Sequence, residues 1–211
     1  MNKKGLFALA LGTFALGITE FMTMGILGDL AHSMNISIDK AGRFISAYAL
    51  GVCFGAPALL FVRKMDLRRL MLYLAALITV GNALAAFAPG FWTLCIARFL
   101  SGLPHGAYFG VGAIVARKLA SPSKAVSAVS MMIAGMTVAT LGGVPLGTLV
   151  SNLLSWRVAY VIVAVSGILN SIAIRFWVPQ VDTLDDCGFK GPLRFMRTLP
   201  PWLTFRSICS G

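Results

Sequence analysis

"FWTLCIARFLSGLPHGAYFGVGAIVA" occupies residues 91–116 and carries one formal charge, Arg98, and one imidazole, His105. As a helix rising ~1.5 Å per residue, such a run is long enough to cross the ~30 Å hydrocarbon core of a bilayer. An arginine held inside hydrocarbon is costly, so it needs a partner or water. The run therefore sets two questions, what solvent the chain folds in and what the two polar groups face.

Five further apolar runs answer the first, at 5–28, 42–62, 70–88, 125–150 and 157–178. Of the 211 residues 58% are hydrophobic and only 12% charged, against about 25% charged in a soluble domain. The expected fold is an all-α integral membrane protein, a six-helix transmembrane bundle over 1–178 with a polar segment at 179–211. That segment reads as a cytoplasmic tail or inter-half linker. The first run follows Lys3 and Lys4 but continues past Glu20 to about Leu30 without a small-x-small cleavage site, so it is not a signal peptide. Cys53 and Cys95 lie in apolar runs and Cys187 and Cys209 in the polar segment, with no CxxC pair, which reads as free thiols.

The net charge of +11 raises nucleic acid as a partner, but the basic residues cluster between apolar runs and form no continuous face. They set topology instead. With the amino terminus inside, the inner side receives Lys3, Lys4, Arg63, Lys64, Arg68, Arg69, Arg117, Lys118, Lys124, Lys190, Arg194, Arg197 and Arg206, and the outer side only Lys40, Arg43 and Arg157. Thirteen against three places both termini of a multi-pass protein on the cytoplasmic side, with an even number of spans. Short connections such as "APGFW" (88–92) and "SNLLSW" (151–156) make neighbouring helices antiparallel.

Glycines recur four apart at 51 and 55, at 102, 106 and 110, and at 143 and 147, a spacing that lets helix backbones approach closely in lipid. In "GGVPLG" (142–147) Pro145 removes a helical hydrogen bond and bends the helix. Its glycines leave either an ordinary proline kink or a packed hinge. Glu20 lies ~22 Å from the inner end of its helix and Arg98 ~10 Å from the outer end of its own, so their depths nearly coincide. Two readings follow: they face a partly wet cavity and pair across it, or each satisfies itself with water or a backbone carbonyl. His105 is two turns from Arg98, which puts Arg98, Gly102, His105 and Phe109 on one face. Thr13, Gly17, Glu20 and Met24 share a face of the first helix. His105 is either a structural hydrogen-bonder or a proton relay with Glu20. Asp29, His32 and Asp39 read as a solvated outer loop and not a metal site, and Asp66 as a local partner of its basic neighbours.

Several stretches together carry a resemblance. They are "LGTFALGITEFMTMGIL" (11–27) with Thr19-Glu20-Phe21 and Gly25, and "ISAYALGVCFGAP" (45–57). "RFLSGLPHGAYFG" (98–110), "GGVPLGTLV" (142–150) and "SWRVAY" (155–160) complete the set. The chain resembles the amino-terminal half of a major facilitator superfamily transporter, in the bacterial drug:proton antiporter branch of arabinose- and purine-efflux-like permeases. The resemblance implies that the first and fourth helices line a central cavity with Arg98 as a proton-coupling or cavity residue. It makes Gly142, Gly143, Pro145 and Gly147 the antiporter kink. "FVRKMDL" before Arg68 and Arg69 departs from the family's loop between helices two and three, so only these two arginines carry over.

The function expected is that of the amino-terminal half of a proton-coupled antiporter exporting small organic solutes such as drugs, sugars or nucleosides. Its proton-coupling and cavity residues are Glu20, Arg98 and His105, and its cavity lining Thr13, Met24, Gly102 and Phe109. It has no cofactor beyond the proton gradient and no metal, and its partners are the bilayer, a small-molecule substrate, protons and a second six-helix half. The chain reads as truncated and not competent alone; the alternative is a six-helix homodimeric transporter or channel. An enzyme is not expected, because Ser101, one turn from His105, lacks a nucleophile motif.

Overall fold

The computed structural model describes residues 2–62 and 65–181, the side chains at 56 and 58–62 excepted. The segment expected as a tail therefore lies, from residue 182, outside the described residues, as do Arg63, Lys64, Cys187 and Cys209. Regular structure among the described residues is entirely helical. It comprises α1 Lys3–Gly25, α2 Leu27–Ser33, α3 Ile38–Ala41, α4 Arg43–Val62 and α5 Leu67–Ala86, followed by α6 Phe91–Gly102, α7 Pro104–Lys118, α8 Ala125–Val138, α9 Val144–Leu153 and α10 Trp156–Trp177. Five rods are long and apolar enough to cross a membrane: Lys3–Gly25, Leu67–Ala86, Phe91–Lys118, Pro122–Leu153 and Trp156–Trp177. α4, of 20 residues, is also of crossing length and makes six rods in all among the described residues.

Local chemistry sets the helix ends. Asn2 caps α1 by accepting from the Gly5 N–H at 3.1 Å, Asp66 caps α5 through the Arg69 N–H at 3.0 Å, and Ser155 caps α10 through the Arg157 N–H at 3.1 Å. Asp66 thus serves a backbone donor and makes no ion pair with Arg68 or Arg69; its other basic neighbours, Arg63 and Lys64, lie outside the described residues. Two rods are interrupted. Pro104, at the start of α7, divides the fourth crossing that the sequence reads as one helix. The fifth passes through a π turn, Ala139–Gly143, just before Pro145. A proline has no N–H for the carbonyl one turn back, and the wider turn absorbs that defect.

α5 packs along α10, α1 along α8, and α4 along α6. The arrangement has an internal echo: α1 pairs with α8 and leans on α10, as α6 pairs with α4 and leans on α5. Small residues permit the close pairings, and a side chain at Gly51 or Gly102 would strike the facing backbone of α6 or α4.

One end of the bundle is tied by the backbone. The Asn2 N–H donates to the Leu119 carbonyl at 2.9 Å, the Asn2 amide to the Trp177 carbonyl at 3.3 Å, and the Leu67 N–H to the Val181 carbonyl at 3.1 Å. Arg68 also donates to the carbonyl of Arg175. Lys3, Lys4, Arg68, Arg69, Arg117, Lys118 and Arg175 thus lie at one end of the rods, while Asp29, Lys40, Arg43 and Arg157 lie at the other.

Two apolar clusters fill the interior. One, toward the tied end, holds Leu9, Leu16, Met71, Ile78, Tyr108 and Ile174; the other holds Met22, Ile26, Phe44, Leu94, Tyr160 and Val163. Between them, at mid-span, lie the buried Thr19, Asn82, Arg98, Ser101 and Ser166. The bundle is therefore two greasy layers around a polar one, and the polar layer is where the candidate residues meet.

Candidate functional site

Arg98 on α6 has no solvent exposure. Its Nη1 donates to the Thr19 carbonyl on α1 at 2.8 Å, and its guanidinium lies 4.4 Å from the centre of the Tyr48 ring on α4. A charge-assisted hydrogen bond contributes about 1.5–3 kcal/mol and a desolvated cation–π contact about 2 kcal/mol. Together these offset part of the cost of the buried cation. Nε and Nη2 find no partner among the described residues. The layer extends to α5, where the Asn82 amide donates to Thr19 Oγ at 3.1 Å and to the Ile78 carbonyl at 2.8 Å.

Glu20 and Arg98 do not form an ion pair, which corrects the expectation of a bridge across the cavity. Their depths match, but successive helix residues point ~100° apart. Arg98 reaches the carbonyl of Thr19, while Glu20 turns toward α7. There its Oε2 lies 3.7 Å from His105 Nε2, with Glu20 29% and His105 14% exposed at the side chain. The other ring nitrogen, Nδ1, hydrogen-bonds the Tyr48 hydroxyl at 2.8 Å, and Phe109 packs on the imidazole at 5.2 Å between ring centres. Glu20, His105, Tyr48, Arg98 and Thr19 form one continuous chain of contacts over α1, α4, α6 and α7.

The remaining expected residues divide. Phe109 is half-buried at the edge of this chain, and Met24 is 51% exposed. Thr13 and Gly102 do not face an opening. The Thr13 hydroxyl is buried against the Met132 carbonyl of α8 at 2.6 Å, and Gly102 meets the Tyr48 carbonyl. Gly143 and Gly147 lie against Ile18 and Met22 of α1, whereas Gly142 has no neighbour within 4 Å on the side a Cβ would occupy. Asp29 is not a free loop carboxylate either; it sits in α2 and accepts from Ser151 of α9 at 2.5 Å.

Tyr48 and Asn82 escaped the sequence reading, which named Thr19 only as part of the first-helix motif. A tyrosine within the apolar run 42–62 is a usable signal, because a buried hydroxyl requires a partner. Nothing local announces that an asparagine on the third crossing meets Thr19.

Comparison with known proteins follows this geometry. Residues 9–210 match the Major Facilitator Superfamily. The chain belongs to that family. It is 45% identical over 210 residues to the putative transporter AraJ of Escherichia coli K12, covering 99% of this chain and 53% of that protein. It is 40% identical over 176 residues to the inner membrane transport protein YdhP of the same organism, covering 83% and 45%. A probable sugar efflux transporter of Helicobacter pylori G27 is 30% identical over 172 residues, covering 81% and 44%. The chain spans about half the length of the curated relatives it matches. A solved peptide transporter, POT, superposes with a TM-score of 0.72 at 15% identity, covering 98% of this chain and 46% of that one, and so shares the fold. Membership in this superfamily makes the chain a multi-pass membrane protein, and the relatives named above are described as transporters, not as enzymes.

Proposed function

We propose that this chain is the amino-terminal half of a proton-coupled antiporter that exports small organic solutes across a bacterial inner membrane, both termini being cytoplasmic. The observation that carries this reading is the Glu20–His105 contact, a carboxylate and an imidazole within 4 Å in the polar layer between the two apolar clusters. A carboxylate can hold a proton there or release it, and an imidazole beside it can take that proton up. Arg98 keeps a fixed positive charge next to the pair. The name of the Helicobacter relative supports a small polar solute as cargo. The proton gradient supplies the energy, and no bound cofactor enters. Substrate sits between two six-helix halves in transporters built from repeats, so a second half completes the path.

The test pairs the chain with the carboxy-terminal half of AraJ in inside-out vesicles and adds a panel of sugars and drugs. Substrate-driven proton release from the lumen is expected. Glu20→Gln and Arg98→Ala should each reduce it at least about 100-fold, or roughly 2.7 kcal/mol. Normal export by both variants would refute the proton-coupling roles.

A further inference from the structure

We infer that Tyr48 is the positioning residue of this site, a single side chain on the second crossing that orients the imidazole of His105 with its hydroxyl and holds the guanidinium of Arg98 with its ring. The inference rests on the proposed reading for its transport consequence, but its geometric content stands apart.

The seam between α4 and α6 brings Tyr48 into place. A Cβ at Gly102 would meet the Tyr48 carbonyl, and one at Gly51 the Phe99 carbonyl, so the two backbones touch. At that separation the Tyr48 ring is 3% exposed and enclosed between Arg98 and His105. The imidazole stands edge-on to it, with 5.9 Å between centres and an 88° interplanar angle. Arg98 lies over the ring face, where the π density is negative.

The hydroxyl has a further consequence. It bonds Nδ1 at 2.8 Å while Nε2 faces the Glu20 carboxylate at 3.7 Å. An ionised carboxylate only accepts, so the neutral ring turns an Nε2–H toward it and takes the Tyr48 O–H at Nδ1. When Glu20 is protonated, its O–H faces a bare Nε2, and Nδ1–H donates to the tyrosine oxygen instead. A hydroxyl can serve both tautomers because it both donates and accepts. Tyr48 thus lets His105 follow the proton state of Glu20 without moving, while the same ring keeps Arg98 in register.

Two variants separate the ring from the hydroxyl. Tyr48→Phe keeps the ring and removes the hydroxyl; Tyr48→Leu removes both. The first readout needs no transport. It uses ¹⁵N-histidine NMR of the 211-residue chain in nanodiscs with His32→Gln, which leaves His105 as the sole histidine. At about pH 8 the native ring should sit in the Nε2–H tautomer with Nδ1 hydrogen-bonded, and Tyr48→Phe should shift the Nδ1 resonance to that of an unbonded acceptor nitrogen. An unchanged Nδ1 resonance would overturn the hydroxyl's role even if the paired protein transported nothing. The second readout is proton-coupled export with the AraJ half. Tyr48→Phe should lower kcat about tenfold with KM within twofold, and Tyr48→Leu should approach the Arg98→Ala loss. Export by Tyr48→Leu equal to that of Tyr48→Phe would overturn the ring's role. Gel filtration and a melting curve for each variant separate these results from misfolding, and Tyr48→Phe, which removes one atom, carries the decision if the leucine variant does not fold.

Discussion

The bundle closes along two glycine-lined seams that work differently. Where α4 meets α6, Gly51 faces the Phe99 carbonyl, Gly55 the Leu103 carbonyl and Gly102 the Tyr48 carbonyl, so main chain lies on main chain. Along α1 against α8 and α9, backbone approaches backbone at Gly135 and Ala10, but beyond that Gly17 meets Met136 and Ala139, Gly143 meets Ile18, and Gly147 meets Met22. Backbone cannot yield, whereas a methionine thioether can swing aside. One seam is a fixed register and holds Tyr48 and Arg98, the α4 and α6 members of the polar chain. The other contains a π turn, a proline and compliant side chains, the parts of a joint that can slide.

The largest effect should come from filling the fixed seam. Gly102→Leu is expected to cost on the order of 3 kcal/mol and to abolish the monodisperse bundle in detergent, read by gel filtration and loss of the thermal transition. A folded variant with a native melting curve would break the comparison. Next, Thr13→Val removes the hydroxyl that bonds Met132 across the second seam. A loss of about 1 kcal/mol is expected by reversible denaturant unfolding, and a native midpoint would show that the contact contributes nothing. In the sliding seam, Gly147→Ala should cost less than about 1 kcal/mol as Met22 rotates away. Gly142→Ala, facing open space, should be neutral or stabilising by up to ~1 kcal/mol through helix propensity. If Gly147→Ala unfolded the protein as Gly102→Leu does, the two seams would be mechanically alike.

Much of this was readable in the chain, and the unreadable parts have a common cause. Crossing segments announce themselves by apolar length, and the rods at 91–116 and 157–178 need nothing else. Depth is readable too, because rise per residue is constant; hence Glu20 and Arg98 were expected at one level with His105 two turns away on the same face, and the structure joins the three in one chain of contacts through Tyr48. Azimuth between helices is not encoded locally. The chain therefore left open whether Arg98 meets Glu20 or a carbonyl, and the structure selects the carbonyl of the preceding residue. Thr13 and Gly102 were expected on a cavity wall for the same reason, and each instead faces a helix neighbour. Pro104 was a visible break signal inside "RFLSGLPHGAYFG". The two-turn spacing across it, from Arg98 to His105, still brought both side chains to Tyr48.

The clasp at Asn2 bears on how the protein is made. Its amide meets the Trp177 carbonyl, 175 residues later in the chain. α1 also rests chiefly on α8 and α10, both synthesised long after it. At about 5–20 residues per second of synthesis, α1 waits roughly 10–35 s for those partners. During that interval Glu20 has neither His105 nor the sixth crossing beside it for much of the time. α1 thus gains its principal partners late, and until then its polar groups, Glu20 among them, lack the contacts of the finished bundle.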